Sequence, residues 1–234
     1  MKLTADRLEK SFDGQPVLSG VSFTVQGGET LAFVGRSGCG KTTLLRMLAG
    51  FLTPDSGSVR LDGQPSAGPN KDKLMVFQSF DQLFPWFSLR GNIQYALHKT
   101  RPELTKAEAR DLAMQCLFEM GLKGAEEKYP YQLSGGMKQR GALARAMALS
   151  PKALLLDEPF SSLDIQSRER AHASLQTLKK ATGAAVVLVT HDLQEAAALA
   201  TRIVVLKAEA RGIVAEMDND LPDIPERLRE LLRD

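Results

Sequence analysis

A chain of 234 residues, 43% hydrophobic and 25% charged, has the size and composition of an ordinary globular protein with a substantial core and room for a small subdomain, which excludes disordered and collagen-like classes. Its 30 basic and 28 acidic residues leave a formal net charge of +2, and they are spread along the sequence, so charge makes no case for a nucleic-acid partner. No apolar run approaches the roughly 18 residues of a membrane-spanning helix, and the opening MKLTADRLEK has no signal-peptide stretch. Cys39 and Cys116 form neither a CxxC pair nor a disulfide framework, which suits a reducing compartment. These features predict a cytosolic protein.

In chain order, PVLSGVSFTVQGGETLAFVG holds β-rich segments broken by Gly27 and Gly28, and its second half runs into GRSGCGKTTLLRMLAGF. Strand, glycine turn and amphipathic helix follow one another, and Gly35, Gly40, Lys41 and Thr42 satisfy G-x-x-x-x-G-K-[ST]. The residue types explain the chemistry. Glycines let successive N–H groups point at one anion, the new helix adds the positive end of its dipole, and Lys41 brings a full charge to the outer phosphates. Residues Gly35, Arg36, Ser37, Gly38, Cys39, Gly40, Lys41, Thr42 and Thr43 are therefore the expected phosphate cradle, with Thr42 a ligand of Mg²⁺. Cys39 sits near the helix start and Lys41, a setting expected to lower its pKa and make it reactive.

Further along, Thr105 and Glu108 form a predicted capping box. Ala109, Leu112, Ala113, Cys116, Leu117 and Met120 follow at helical spacing, and Gly121 ends the run. The stretch SFDQLFPWFSLRGNI crowds Phe80, Leu83, Phe84, Trp86, Phe87 and Leu89 around Pro85, as a buried cluster or as a partly exposed apolar surface. In LSGGMKQR, Gly135 and Gly136 stand before the helix-forming MKQRGALARAMAL, so a helix entry stripped of side chains is expected to be approached closely by something. In KALLLDEPFSSLD, Ala153 to Leu156 read as a strand buried on both faces, which delivers Asp157 to the ligand edge of an α/β sheet. Asp157 would hold the magnesium shell and Glu158 would act as general base on water. AAVVLVTHD is a second such strand, and it brings His191 toward the same edge.

These motifs, in this order over nearly the whole chain, resemble the ATP-binding subunit of an ABC transporter. In the family's terms GRSGCGKTT is the Walker A loop, VFQ with Gln78 the Q-loop, LSGGM the signature, ALLLDE the Walker B strand, SSLD with Asp164 the D-loop and VTHD with His191 the switch. The resemblance implies an α/β P-loop fold with a mixed central sheet, flanking helices, an N-terminal antiparallel β part and an inserted helical subdomain. One cassette over 1–234 is implied, with a nucleotide-binding core at about 1–80 and 150–220, a helical subdomain at about 81–149 and a tail helix at about 221–234. ATP and Mg²⁺ are the implied cofactors. Phe12 replaces the usual tyrosine that stacks on adenine, Gln78 joins the magnesium shell and catalysis, and Lys41, Glu158 and His191 complete the catalytic set.

Ser134, Gly135, Gly136 and Asp164 are implied to serve the ATP site of a second copy in a head-to-tail dimer, and Met137 replaces the commoner glutamine of the signature. The aromatic stretch would then receive a short helix of a membrane permease, placing the protein on the cytoplasmic face of the membrane, with a solute-binding protein as indirect partner. LSGGM, FPW and the ending VVLKAEARGIVAEMDNDLP are similar to importer subunits for nitrate, sulfonates and taurine. An exporter partner, or an ATP-driven clamp on a soluble protein, is the alternative. The residues after Asp220 suffice for a helix and not for a regulatory domain.

Overall fold

The computed structural model describes residues 1–78, 82–220 and 223–233. Ser79, Phe80 and Asp81, and with them the Phe80 member of the aromatic stretch, lie outside the described residues, as do Leu221, Pro222 and Asp234. The strands are β1 (Lys2–Phe12), β2 (Gln15–Gln26), β3 (Thr30–Val34), β4 (Ser56–Leu61), β5 (Gln64–Pro65), β6 (Lys73–Val76), β7 (Ala153–Asp157), β8 (Ala185–Thr190), β9 (Arg202–Lys207) and β10 (Gly212–Asp218). The helices are α1 (Lys41–Ala49), α2 (Leu89–Thr100), α3 (Lys106–Glu119), α4 (Gly135–Leu149), α5 (Ile165–Thr182), α6 (Leu193–Leu199) and α7 (Ile224–Leu232).

The chain forms two compact units, the first made of Met1–Met75, Lys152–Glu158 and Ala184–Asp234. One sheet has the order β2-β1-β4-β5 with antiparallel pairing, and the other has the order β10-β9-β3-β8-β7-β6. β9, β3, β8 and β7 run parallel and β10 closes an edge antiparallel, which is the mixed sheet and N-terminal antiparallel part that the resemblance implies. Every residue of β3, β7 and β8 is buried, as continuous apolar runs require of strands covered on both faces. The core joins Leu3, Leu8 and Val25 to Leu31, Phe33, Leu44, Leu48 and Val187, with Phe23 edge-on to Phe33 at 4.8 Å. Each such side chain contributes about 1.5–3 kcal/mol on burial.

Parallel register decides what gathers at the sheet's ligand edge. Val34 pairs with Thr190, and Asp157 pairs with Val189. Three chain segments far apart in sequence therefore end side by side: the glycine loop after β3, Asp157 at the end of β7 with Glu158 after it, and His191 after β8.

The second unit, Val76–Pro151 with Pro159–Gly183, holds α2 to α5. Thr105 and Glu108 make the reciprocal capping box that starts α3. Ala109, Ala113, Cys116, Leu117 and Met120 are buried along it, and Gly121 follows its end at φ 65°.

Candidate active site

The site in the first unit begins with glycines constrained by the chain itself. A Cβ on Gly35 would lie 2.4 Å from the Leu206 carbonyl oxygen and 2.6 Å from Cys39 Sγ. Gly40 caps α1 at φ 95°, and a Cβ there would meet Leu18 Cδ2 at 2.8 Å. Gly38, at φ 85°, faces open space. The loop can thus curl with its backbone N–H groups free of side-chain bulk, as anion binding requires.

Lys41 opens α1 and is buried. Its Nζ donates to the carbonyls of Gly35 at 2.7 Å and Arg36 at 3.0 Å, which folds the ammonium into the loop. One residue on, the Thr42 hydroxyl donates to Asp157 Oδ1 at 3.1 Å. Burial above all, with repulsion from Glu158, raises the Asp157 pKa above its ordinary value, against the Thr42 hydrogen bond and the charges of Arg46 and Lys41. Two hard oxygens side by side fit magnesium, which binds through one or two carboxylates plus phosphate oxygens. Among the described residues no group of three or more His, Cys, Asp or Glu gathers to hold a metal.

Glu158 adopts φ 44°, a left-handed conformation for a non-glycine residue, which costs on the order of 1 kcal/mol and marks a position fixed by its surroundings. Those surroundings are β8 and its turn: Glu158 N–H donates to the Val189 carbonyl at 2.9 Å, and Glu158 Oε2 lies 3.1 Å from His191 Nδ1. The histidine is accessible and directed at the acid. Its turn is pinned by two residues that sequence reading missed. The Thr190 hydroxyl donates to the buried Glu195 carboxylate and accepts from Asp192 N–H at 3.0 Å. Glu195 has a sequence signal, standing three residues after the α6 cap Asp192, but that spacing reads as an exposed capping box. Phe12 ends β1 and is 45% exposed. With Val17, Ser37, Gly38, Gly40, Lys41, Thr42, Thr43 and Glu158 it lines a cavity of about 430 Å³, ample for a small ligand.

The expectation of a reactive Cys39 thiol is corrected. The residue is 1% exposed, and burial raises its pKa above the ordinary value, although Lys41 Nζ at 3.8 Å pulls the other way. Neighbourhood in sequence did not put the sulfur at the mouth of the loop. Its backbone N–H donates to the Arg36 carbonyl at 3.3 Å.

Gln78, Ser134, Gly135, Gly136 and Asp164 belong to the second unit. There Gln78 Nε2 is 3.4 Å from Ser161 Oγ. Ser134 caps α4, its Oγ accepting from Met137 N–H at 3.3 Å. The glycine pair divides: Gly135 is partly exposed whereas Gly136 is buried, and a Cβ on Gly136 would lie 2.8 Å from Ser167 Cβ. What approaches Gly136 is therefore a residue of the same chain, while Ser134 and Gly135 stay accessible. Asp164 caps α5 by accepting from Ser167 N–H at 3.0 Å.

The aromatic stretch also divides. Leu83 and Leu89 are buried, with Ile93. Phe84, Trp86 and Phe87 form a ring cluster with Tyr95, centroids 5.2–6.3 Å apart, and Trp86 is 66% exposed.

A phosphate loop on a parallel sheet, with a hydroxyl–carboxylate pair and an acid–histidine pair on the neighbouring strand ends, defines a P-loop nucleoside triphosphatase. Residues 18–161 match the family model described as ABC transporter, and the chain belongs to that family. It is 46% identical over 214 residues to the taurine import ATP-binding protein TauB of Chromobacterium violaceum, covering 91% of this chain and 81% of that protein. It is 43% identical over 205 residues to the nitrate import ATP-binding protein NrtD of Synechococcus elongatus, covering 86% and 74%. Among solved structures, the dimeric bacterial ABC transporter cassette MJ0796 superposes with a TM-score of 0.81 at 29% identity, covering 94% of this chain and 99% of that one. The same cassette has been solved as a dimer in a post-hydrolysis state bound to ADP and Pi.

Proposed function

We propose that this chain is the ATP-binding and ATP-hydrolysing subunit of an importer for nitrate, taurine, a sulfonate or a similar small solute. The observation that carries the enzymatic part is the Glu158–His191 pair, held 3.1 Å apart beside the Thr42–Asp157 pair at one sheet edge. The importer assignment is supported by the taurine and nitrate import proteins among its relatives.

In this reading Lys41 exchanges its two loop carbonyls for phosphate oxygens, and the loop N–H groups with the α1 dipole hold the anion. Phe12 stacks on the base. Thr42 and Asp157, joined by Gln78, would hold magnesium, which would supply positive charge against the outer phosphates. Glu158 takes the proton of the attacking water, and His191 fixes the carboxylate and reaches the γ-phosphate. The core at about 1–80 and 150–220 carries this chemistry. The helical part at about 81–149 presents Ser134 and Gly135, with Gly136 packed behind them, and with Asp164 from the D-loop, to the ATP of a second copy. The tail at about 221–234 adds α7.

The Phe84, Trp86, Phe87 and Tyr95 rings supply the surface for a short permease helix. Among the described residues no helix is long and apolar enough to cross a membrane. Attachment to the cytoplasmic face is therefore assigned to the permease, and contact with a solute-binding protein is indirect.

Copurification from detergent-solubilised membranes tests this reading. A polytopic membrane protein in stoichiometric complex, lost with Trp86→Asp while the isolated subunit still hydrolyses ATP, is the expected result. A soluble protein partner in place of a membrane protein would establish the clamp alternative.

A further inference from the structure

Ser167 stands where two elements assigned to the neighbouring copy's ATP meet within one chain. It is the third residue of α5, and its backbone N–H donates to Asp164 Oδ1 at 3.0 Å. Its hydroxyl also bonds to that carboxylate, and the two bonds hold the Asp164 carboxyl below its ordinary pKa. On its other side it faces Gly136, where a Cβ would be 2.8 Å from Ser167 Cβ and 3.0 Å from Ser167 Oγ. Such separations lie well inside van der Waals contact.

Further along, α4 is tied to its own unit: Arg140 donates to the Met120 and Gly121 carbonyls, both at 3.0 Å, and Arg145 donates to the Gln82 carbonyl at 2.8 Å. An adjustment at Gly136 is carried most directly to the adjoining helix start, Ser134 and Gly135, the part left accessible.

We propose that Ser167 is a positioning residue that locks the start of the signature helix to the cap of α5, so that Ser134–Gly135 and Asp164 meet the partner's nucleotide as one body. This deepens the trans-acting role given to the signature and rests on it. A displacement near 1 Å of groups that grip a reacting phosphate costs roughly a hundredfold in rate. That is the scale expected when a methyl group is forced between Gly136 and Ser167.

A size-swap cycle tests the proposal in the full-length chain. Gly136→Ala should lower ATP-induced dimerisation and hydrolysis at least about tenfold by pushing the helix start away. Ser167→Gly should lower them a few-fold by loosening it. The double variant, whose new methyl occupies the space that Ser167 vacates, should recover to within about threefold of the parent. ATP binding by the monomer should be unchanged throughout, because the cradle is Gly35 to Thr42, and this separates positioning from misfolding. Full activity of Gly136→Ala, or a double variant no better than Gly136→Ala, overturns the proposal. The trans reading stands or falls separately, on whether a bulky residue at the exposed Ser134 blocks dimerisation.

Discussion

Glu158→Gln isolates the chemistry from the architecture. The replacement keeps size and shape. The left-handed backbone at φ 44° costs glutamine about what it costs glutamate, and the backbone bond to Val189 at 2.9 Å does not involve the side chain. The amide can still hydrogen-bond His191 across the 3.1 Å gap. Loss of the negative charge also removes one cause of the raised Asp157 pKa, so Asp157, the carboxylate proposed to hold magnesium, is ionised more readily in the variant. Stability and Mg-ATP affinity should hold within about twofold, while an amide cannot accept the proton of water. General-base catalysis contributes about 10²- to 10⁴-fold, so the turnover number should fall by at least about a hundredfold, equivalent to ~2.7 kcal/mol at 1.36 kcal/mol per decade. Steady-state hydrolysis with a coupled assay gives the rate, and size-exclusion chromatography with ATP should show accumulated dimer. Hydrolysis within about threefold of the parent, with binding intact, would refute the assignment of Glu158 as the base.

Both thiols should resist alkylation in the native protein at neutral pH, become faster as pH rises, and react readily in denaturant, since burial raises Cys39 and carries Cys116 up to about 11. A thiol whose folded pKa is raised contributes stability that is fully present below its unfolded value and is lost as pH rises through its folded one; Cys116→Ala should flatten the loss of stability approaching pH about 11. Thr105→Ala removes the hydroxyl that accepts from Glu108 N–H at 3.2 Å. It should cost about 1 kcal/mol, seen as a melting point lower by about 2–4 °C with ATP binding unchanged. Mixed dimers of Gly135→Asp with Lys41→Ala, isolated through two tags, should trap nucleotide at one site, because trans-acting signatures place both lesions in the other site; absence of trapping where parent dimers trap would refute the trans assignment.

Most of the site was legible because P-loop chemistry is written in short local patterns. Gly35 to Thr42 needs only a strand before it and a helix after it. ALLLDE and VVLVTHD announce themselves as fully buried strands, and parallel register then places Asp157, Glu158 and His191 without further information. The tertiary supports were not legible. Thr190 reads as one more β-branched strand residue and Glu195 as a surface acid on α6, yet a buried hydrogen bond joins them behind His191. Cys39 shows the converse error. Its neighbours in sequence are a helix start and a lysine, and Lys41 does pull the thiol's pKa down, but desolvation by burial outweighs that pull. Desolvation depends on where the side chain points, and the Cys39 sulfur is buried against Gly35.

The glycine pair shows why composition alone leaves such a motif underdetermined. A glycine signals that something lies close, and says nothing of whether that thing is a ligand, a partner or the same chain. At Gly136 the neighbour is Ser167, from a helix that begins after a different motif. Gly135, by contrast, is partly exposed, and in the proposed reading its demand for glycine comes from the nucleotide of a second copy. Adjacent residues with one letter in common thus answer to different physical constraints. The inner one sets where the helix starts, and that position in turn fixes what the outer one and Ser134 can reach. Substitutions should separate the two. A small side chain at 136 should be correctable from within the chain at 167, whereas, if Gly135 serves the ATP of a second copy as proposed, a side chain at 135 should have no intrachain suppressor.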